Sequence, residues 1–181
     1  MDIQPTALPG VLLITPRKFS DSRGSFWETY NERILSEAGL PTVWKQDNTS
    51  VSVRNVVRGI HYQITQPQGK LVRVTYGAVY DVAVDLRRGS PTFGKHVGYE
   101  LSEDNGAMLW IPVGFGHAFA VLSDRAGFAY KVTDYYSPAG ERTILWNDPA
   151  LAIDWPVAQS GAIVSARDQQ GSLFAAAEVF A

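Results

Sequence analysis

Short apolar segments, rich in β-branched and aromatic residues, recur along most of this chain. They predict β-strands at 11–14, 25–30, 70–76, 79–86, 96–101 and 107–111. Clusters of Asp, Ser, Asn, Gly and Pro predict turns between them, at 21–24, 88–91 and 103–106. Many short strands joined by regular turns are typical of a β-sandwich or barrel, so an all-β fold is expected.

Only two short helices are expected. Asn31 can cap the first, Ile34 and Leu35 fall on one of its faces, and Gly39 ends it. A second short helix is predicted near the carboxyl terminus, at 173–179. Helices of this length cannot form a core of their own, so they are expected at the periphery of the strands.

Length and composition bound the class of protein. The chain has 181 residues, a net charge of −2 and no cysteine, and we expect a single domain over 1–181. Without a basic bias, nucleic acid is not an expected partner. The absence of cysteine excludes disulfides and thiolate chemistry and fits a reducing compartment. No apolar run is long enough for a signal peptide or a membrane span, so we expect a cytoplasmic protein without a membrane partner.

The run from Val57 to Gln63 combines Arg58 and His61, and Lys70 follows closely. If this segment is a regular strand, Arg58 and Ile60 share one face and His61 lies on the other. A core histidine that is satisfied by a backbone carbonyl is an equally good interpretation of His61 at this point.

Other candidate residues are scattered along the strands. His117 follows a glycine-containing run that also suits a simple turn, Tyr130 lies on a later apolar strand, and Lys70 read alone is a solvated surface lysine. His96 fits an exposed polar face and is interpreted as structural. No histidine has the His-x-His spacing of a metal-binding barrel, so no metal and no other cofactor are expected.

The remaining candidates form an acid–base set. A histidine suits proton abstraction near neutral pH, and a lysine or arginine suits stabilisation of an enolate oxygen. A tyrosine can return a proton from another direction. Inversion of a carbon beside a carbonyl requires such a pair on opposite faces of the substrate.

The chain resembles one family from about residue 19 to residue 168: the dTDP-4-dehydrorhamnose 3,5-epimerases. These are cupin-type jelly-roll β-barrels that act on nucleotide-linked 4-keto-6-deoxyhexoses. Their motifs correspond, in order, to the segments 19–26, 46–50, 58–63, 70–74, 81–94 and 110–119 of this sequence.

The resemblance also implies roles for individual residues. His61 is similar to the family's base, Asp168 to the carboxylate that orients it, Tyr130 to the proton donor, and Lys70 to the group that stabilises the enolate. Substrate-contacting positions are implied for Arg23, Glu28, Gln46, Asn48, Arg58, His117, Tyr136, Glu141 and Arg167. The implied partner is a dTDP-linked 4-keto-6-deoxyhexose and the implied assembly is a homodimer, with the reach of Arg23 into the neighbouring subunit left open.

Two departures from the family pattern keep alternatives open. Thr49 stands where many members of the family carry a bulkier residue. Gly116 and Ala118, on either side of His117, have the reverse of the order of sizes that is commoner in the family. Both departures are expected near the pocket. An epimerase that inverts a single carbon of a related sugar is therefore an alternative to inversion of carbons 3 and 5. A non-catalytic sugar-nucleotide binding protein is the alternative from another class, although binding alone does not require a matched acid and base.

Overall fold

The computed structural model describes all of residues 1–181, and most of its regular structure is β-strand. The strands are β1 (Asp2–Pro5), β2 (Leu12–Thr15), β3 (Lys18–Asp21), β4 (Gly24–Trp27), β5 (Gln46–Val53), β6 (Val56–Gln63), β7 (Lys70–Tyr76), β8 (Ala78–Asp85), β9 (His96–Ser102), β10 (Met108–Ile111), β11 (Phe115–Val121), β12 (Arg125–Val132), β13 (Glu141–Thr143) and β14 (Ile163–Val164). The α-helices are α1 (Glu32–Glu37) and α2 (Ala166–Gln169).

Two sheets face each other. The first sheet has the order β1-β2-β10-β7-β12-β5, and the second has the order β13-β6-β11-β8-β9, with β14 added in parallel beside β6. All other pairings are antiparallel, and β3 and β4 form a separate hairpin. Apart from the consecutive pairs β1–β2 and β8–β9, neighbours in each sheet are not consecutive in the chain, as in a jelly roll. The expected all-β, cupin-type jelly-roll barrel with short peripheral helices is confirmed.

The main core fills the space between the sheets. On β11 every residue is buried, and its side chains divide between two layers. Phe115, Phe119 and Val121 belong to the core between the sheets. Ala118 and Ala120 belong to a second core on the outer face of the second sheet.

Both outer faces are covered by other parts of the chain. Trp146 and Trp155, from the segment after β13, pack on the outer face of the second sheet. Leu35 of α1 is fully buried against Leu71 and Met108 on the outer face of the first sheet. With six and four residues, neither helix has the length and apolar character needed to traverse a bilayer.

The predicted first helix is confirmed. Asn31 is its N-cap, and its side-chain oxygen accepts a hydrogen bond from the Ile34 amide at 3.2 Å. The predicted second helix at 173–179 is wrong, since only a 3₁₀ turn forms there, at Phe174–Ala176. The reason is tertiary: Phe180 pairs in extended form with the backbone beyond β8, and this holds the chain end straight.

Candidate active site

A polar pocket lies between the two sheets, where β6 contributes Arg58 and His61, β7 contributes Lys70 and β12 contributes Tyr130. Strands of both sheets and α2 contribute to it, so its residues come from positions 49 to 167 of the chain. The lining residues are Thr49, Ser50, Arg58, His61, Lys70, His117, Phe119, Phe128, Tyr130, Glu141 and Arg167.

Asp168 lies directly behind His61. The Nε2 atom of His61 and the Oδ1 atom of Asp168 are 2.6 Å apart, and the other carboxylate oxygen accepts from the Gly59 amide at 3.3 Å. Ser165 caps α2 through the Asp168 amide and fixes the start of this helix. Burial acts to raise the pKa of Asp168, but the hydrogen bonds and the nearby Arg167 outweigh it and lower this pKa. The carboxylate therefore stays charged behind the imidazole.

A bulge at Gly59 brings Arg58 and His61 to the same pocket. His61 lies opposite His117 on β11, but Arg58 lies opposite Phe119, so three steps on β6 match two on β11. Gly59 has a φ of +117°, and an added Cβ there would lie 2.4 Å from the Cβ of the neighbouring Ala118. The expectation that Arg58 and His61 lie on opposite faces is wrong, because this extra residue shifts the alternation by one.

Lys70 and Tyr130 line the same pocket from the first sheet. Lys70 is half-buried, so the interpretation as a solvated surface lysine is wrong. Burial lowers the pKa of its ammonium to about 8, although the charges of Asp81 and Glu141 oppose the shift. Burial and then the charge of Glu141 raise the pKa of the Tyr130 hydroxyl, while Arg58 opposes this. Tyr130 is thus protonated and Lys70 largely charged at neutral pH.

A second His–Asp pair lies deeper in the pocket. The Nε2 atom of His117 is 2.8 Å from Oδ2 of Asp81, and both side chains are buried. Burial lowers the pKa of His117 despite the carboxylate beside it. Asp81 is not among the site residues predicted from the sequence. Its signal was an acidic residue at an inward position of the otherwise apolar run before Asp85.

Charged groups form a network at the rim of the pocket. Arg167 donates two hydrogen bonds to Glu141, at 2.8 and 2.9 Å, and the Tyr136 hydroxyl donates to the same carboxylate at 2.7 Å. The Nε of Arg58 donates to the buried Ser52 hydroxyl at 3.0 Å. Two arginines thus face the pocket, and arginine suits the oxygens of a diphosphate.

The other expected substrate-contacting residues fall into two groups. Gln46 and Asn48 are hydrogen-bonded to each other at 2.7 Å, and Gln46 also accepts from the Tyr136 amide, so this group adjoins the rim. Arg23 and Glu28 lie outside the pocket. Arg23 is exposed on the β3–β4 hairpin and pairs with Asp21.

Two further expectations concern residues around the site. Thr49 lines the pocket as expected. Gly116 and Ala118 do not: Ala118 belongs to the outer core, and an added Cβ at Gly116 would lie 2.5 Å from Ile60 in that core. The strand alternation turns both away from the pocket. His96 is half-buried on β9, outside the pocket, which fits the structural interpretation.

Metal-ligating side chains do not gather anywhere in the fold. Among residues 1–181, no three His, Asp or Glu side chains are placed to hold one ion. The polar groups of the pocket are instead paired as acids and bases. The fold and the pocket together define a class of protein: cupin-like jelly rolls with a polar pocket between the sheets that holds His–Asp pairs, a lysine and a tyrosine.

Comparisons with known proteins identify the family. The family model described as dTDP-4-dehydrorhamnose 3,5-epimerase matches residues 5–176. A protein of that name from Pseudomonas aeruginosa is 57% identical over 96% of each chain. A dTDP-6-deoxy-D-glucose-3,5-epimerase from Legionella pneumophila, crystallised with dTDP-4-keto-L-rhamnose, is 46% identical with a TM-score of 0.93, over 98% of this chain and 94% of that one. The chain belongs to the dTDP-4-dehydrorhamnose 3,5-epimerase family, as its motifs predict.

One further relative bears on the number of carbons inverted. A dTDP-4-dehydrorhamnose 3-epimerase from Streptomyces niveus is 42% identical over 98% of this chain and 86% of its own. Proteins named for one inversion and for two are therefore both similar to this chain over nearly its whole length.

Proposed function

We propose that this protein inverts carbons 3 and 5 of dTDP-4-dehydro-6-deoxy-D-glucose and gives dTDP-4-dehydro-L-rhamnose. The protons beside the 4-keto group are the ones removed and returned. The 2.6 Å pair of His61 and Asp168, in one pocket with Lys70 and Tyr130, carries this proposal. Such a set matches a base, its orienting carboxylate, an enolate stabiliser and an acid.

His61 is the base. Asp168 accepts from Nε2, which leaves Nδ1 as the ring nitrogen that takes the proton from carbon. When the ring becomes an imidazolium, the buried charge of Asp168 stabilises it in place. Asp168 itself stays ionised throughout, because its hydrogen bonds and Arg167 hold its pKa low.

Lys70 and Tyr130 complete the exchange. Loss of the proton moves negative charge onto the 4-keto oxygen, where the Lys70 ammonium stabilises it. Tyr130 holds its proton because burial raises its pKa, and it gives this proton to carbon from another strand than that of His61. Removal and return from different directions invert the centre.

We assign the nucleotide part of the substrate to the rim of the pocket. Arg58 and Arg167 suit the diphosphate, and exposed Tyr136 suits stacking on the thymine ring. His117, Glu141, Gln46 and Asn48 are assigned to the sugar and nucleotide contacts on the same side. No cofactor enters this scheme, since each proton step has a side chain of the protein to perform it.

Solvent exchange in heavy water tests the activity. We expect the recovered sugar to carry deuterium at both C3 and C5, resolved by NMR, together with the inverted product. Deuterium at C3 alone would replace this proposal with the single-centre reaction, which the 42% identity to a 3-epimerase favours as the second candidate. Binding without any exchange would leave only a sugar-nucleotide binding protein.

Arg23 and Glu28 lie outside the pocket of their own chain. Both were expected at the substrate, yet Arg23 is exposed on a hairpin away from the pocket. We infer that the chain is a homodimer in which this hairpin, with its exposed Phe19 and Phe26, reaches the partner's pocket. The cytoplasmic location also stays a prediction.

Mixed dimers test this arrangement. Arg23→Ala and His61→Asn should each be inactive alone. If Arg23 acts across the interface, mixing the two variants restores one complete site in each mixed dimer, or about a quarter of all sites for random pairing. If Arg23 acts within its own chain, the mixture stays inactive.

A further inference from the structure

Asp81 leaves a buried carboxylate oxygen without a partner. It lies on β8 with no exposed surface, and only its Oδ2 is hydrogen-bonded, to His117; Oδ1 has no partner among the protein's atoms. Asp85, four residues further on the same strand and equally buried, has both oxygens bonded to Arg87, Ser90 and Thr92. An unpaired buried oxygen costs stability, so the two aspartates differ in what they do for the fold.

Two cations of the pocket, Lys70 and Arg58, have no carboxylate hydrogen-bonded to them, and of these two Arg58 already donates to the Ser52 hydroxyl. Glu141 is the other acidic group near Lys70, and its two oxygens already accept from Arg167 and Tyr136. Lys70 has no hydrogen-bonded acid, and it lines the same pocket as His117, the residue to which Asp81 is hydrogen-bonded. The charge of Asp81 acts to raise the pKa of Lys70. Asp81 on β8 lies opposite Tyr99 on β9. The other polar groups around Lys70 line the pocket: His117 from β11, Arg58 and His61 from β6, Tyr130 from β12, Glu141 from β13 and Arg167 from α2.

We propose that Asp81 is a positioning residue: its carboxylate is the buried counter-ion shared by Lys70 and His117. This role deepens the proposed function and rests on it only for its catalytic consequence. Asp81 touches no substrate, because His117 lies between it and the pocket. Its unpaired oxygen is the kind of local defect that proteins keep for function at a cost in stability.

The consequence for His117 is a fixed tautomer. Nε2 carries the hydrogen that Asp81 accepts, and the ring stays neutral because burial lowers its pKa. Nδ1 is then a hydrogen-bond acceptor. It suits a sugar hydroxyl or the Lys70 ammonium and does not suit a developing enolate oxygen, which leaves that oxygen to Lys70.

NMR of the substrate-free protein tests the counter-ion directly. The chain has five lysines, so the side-chain carbons of Lys70 can be resolved and assigned with Lys70→Met. In Asp81→Asn we expect the titration midpoint of Lys70 to fall by on the order of one pH unit, because the opposite charge is lost. An unchanged midpoint would overturn the proposal. In the unmodified protein, a His117 that carries its hydrogen on Nδ1 would also overturn it.

Thermal unfolding separates this role from a structural one, with Asp85→Asn as the matched control. Measured at pH 9, where Lys70 is mostly neutral, Asp81→Asn should unfold close to the wild-type temperature, because only one hydrogen bond is weakened. Asp85→Asn removes the charge that orders the turn after β8 and should unfold several degrees lower. A loss in Asp81→Asn as large as that in Asp85→Asn would refute the proposal.

The catalytic consequence is a pH profile. The alkaline limb of the epimerase activity should move to lower pH in Asp81→Asn, by the same shift as the Lys70 midpoint. Because the NMR titration needs no substrate, an absence of epimerase activity would contradict the proposed function without touching the role of Asp81. A moved Lys70 midpoint with an unmoved activity limb would overturn the catalytic part.

Discussion

His61 and Asp168 are 107 residues apart in the chain, and their side chains are 2.6 Å apart in the fold. Asp168 is buried and His61 is partly exposed to the pocket. The carboxylate is therefore shielded from solvent, while the imidazole is accessible to a substrate.

Substitution in the pair should stop exchange at carbon. We expect His61→Asn to abolish deuterium exchange, and Asp168→Asn to lower it on the order of a hundred- to ten-thousand-fold, because the imidazolium loses its charge partner. Mass spectrometry of the recovered sugar gives both rates. Exchange near the wild-type rate in a folded His61→Asn variant would show that another group is the base.

Tyr130→Phe should separate exchange from inversion. The ring is kept, so packing changes little, but the proton donor is lost. Deuterium should continue to enter the substrate through His61, while formation of the inverted product falls. An equal collapse of both rates would mean that Tyr130 also stabilises the enolate, and unchanged inversion would mean that another group returns the proton.

The activity should decrease as the pH rises through about 8. Lys70 acts in its charged form, and its pKa of about 8 means that the charge is lost over this range. Lys70→Arg should be less active because of its shape but should lack this alkaline decrease, since arginine stays charged. An alkaline decrease at the same pH in both proteins would assign this decrease to the titration of a group other than Lys70.

Exhaustive chelation should leave the activity intact. The acid–base set of His61, Lys70 and Tyr130 supplies each proton step, and nowhere along residues 1–181 do three acidic or histidine side chains converge on one point. The measurement is the initial rate before and after dialysis against a strong chelator. A loss that one divalent ion reproducibly restores would contradict the prediction.

Gly59→Ala should destabilise the protein by about 3 kcal/mol or more, from backbone strain and overpacking together. Its φ is +117°, and the new Cβ would lie 2.4 Å from the Ala118 Cβ and 2.6 Å from the His117 carbonyl oxygen. Gly24→Ala is the control, because its φ is +126° but nothing lies within 4 Å. Chemical denaturation should give a clearly smaller loss for Gly24→Ala; equal losses would mean that crowding at β6 contributes nothing.

Local patterns predicted much of the fold. The segment 70–76 is strand β7 residue for residue, and the cap at Asn31 starts α1 as expected. Such features depend on neighbours in the chain, which the sequence displays directly. The helix expected at 173–179 does not form, because the end of this segment pairs with residues near position 87. No local sequence pattern contains this contact.

The recurring short apolar segments determined the all-β class, and the motifs in their order determined the family and the identity of the candidate acid–base residues. Only the tertiary structure decided how they are arranged: the bulge at Gly59 turns Arg58 and His61 into one pocket, and Asp81 comes to lie behind His117. It also left Arg23 outside the pocket. The physical reason is that strand pairing joins residues far apart in sequence, and one extra residue in a strand reverses every face that alternation predicts.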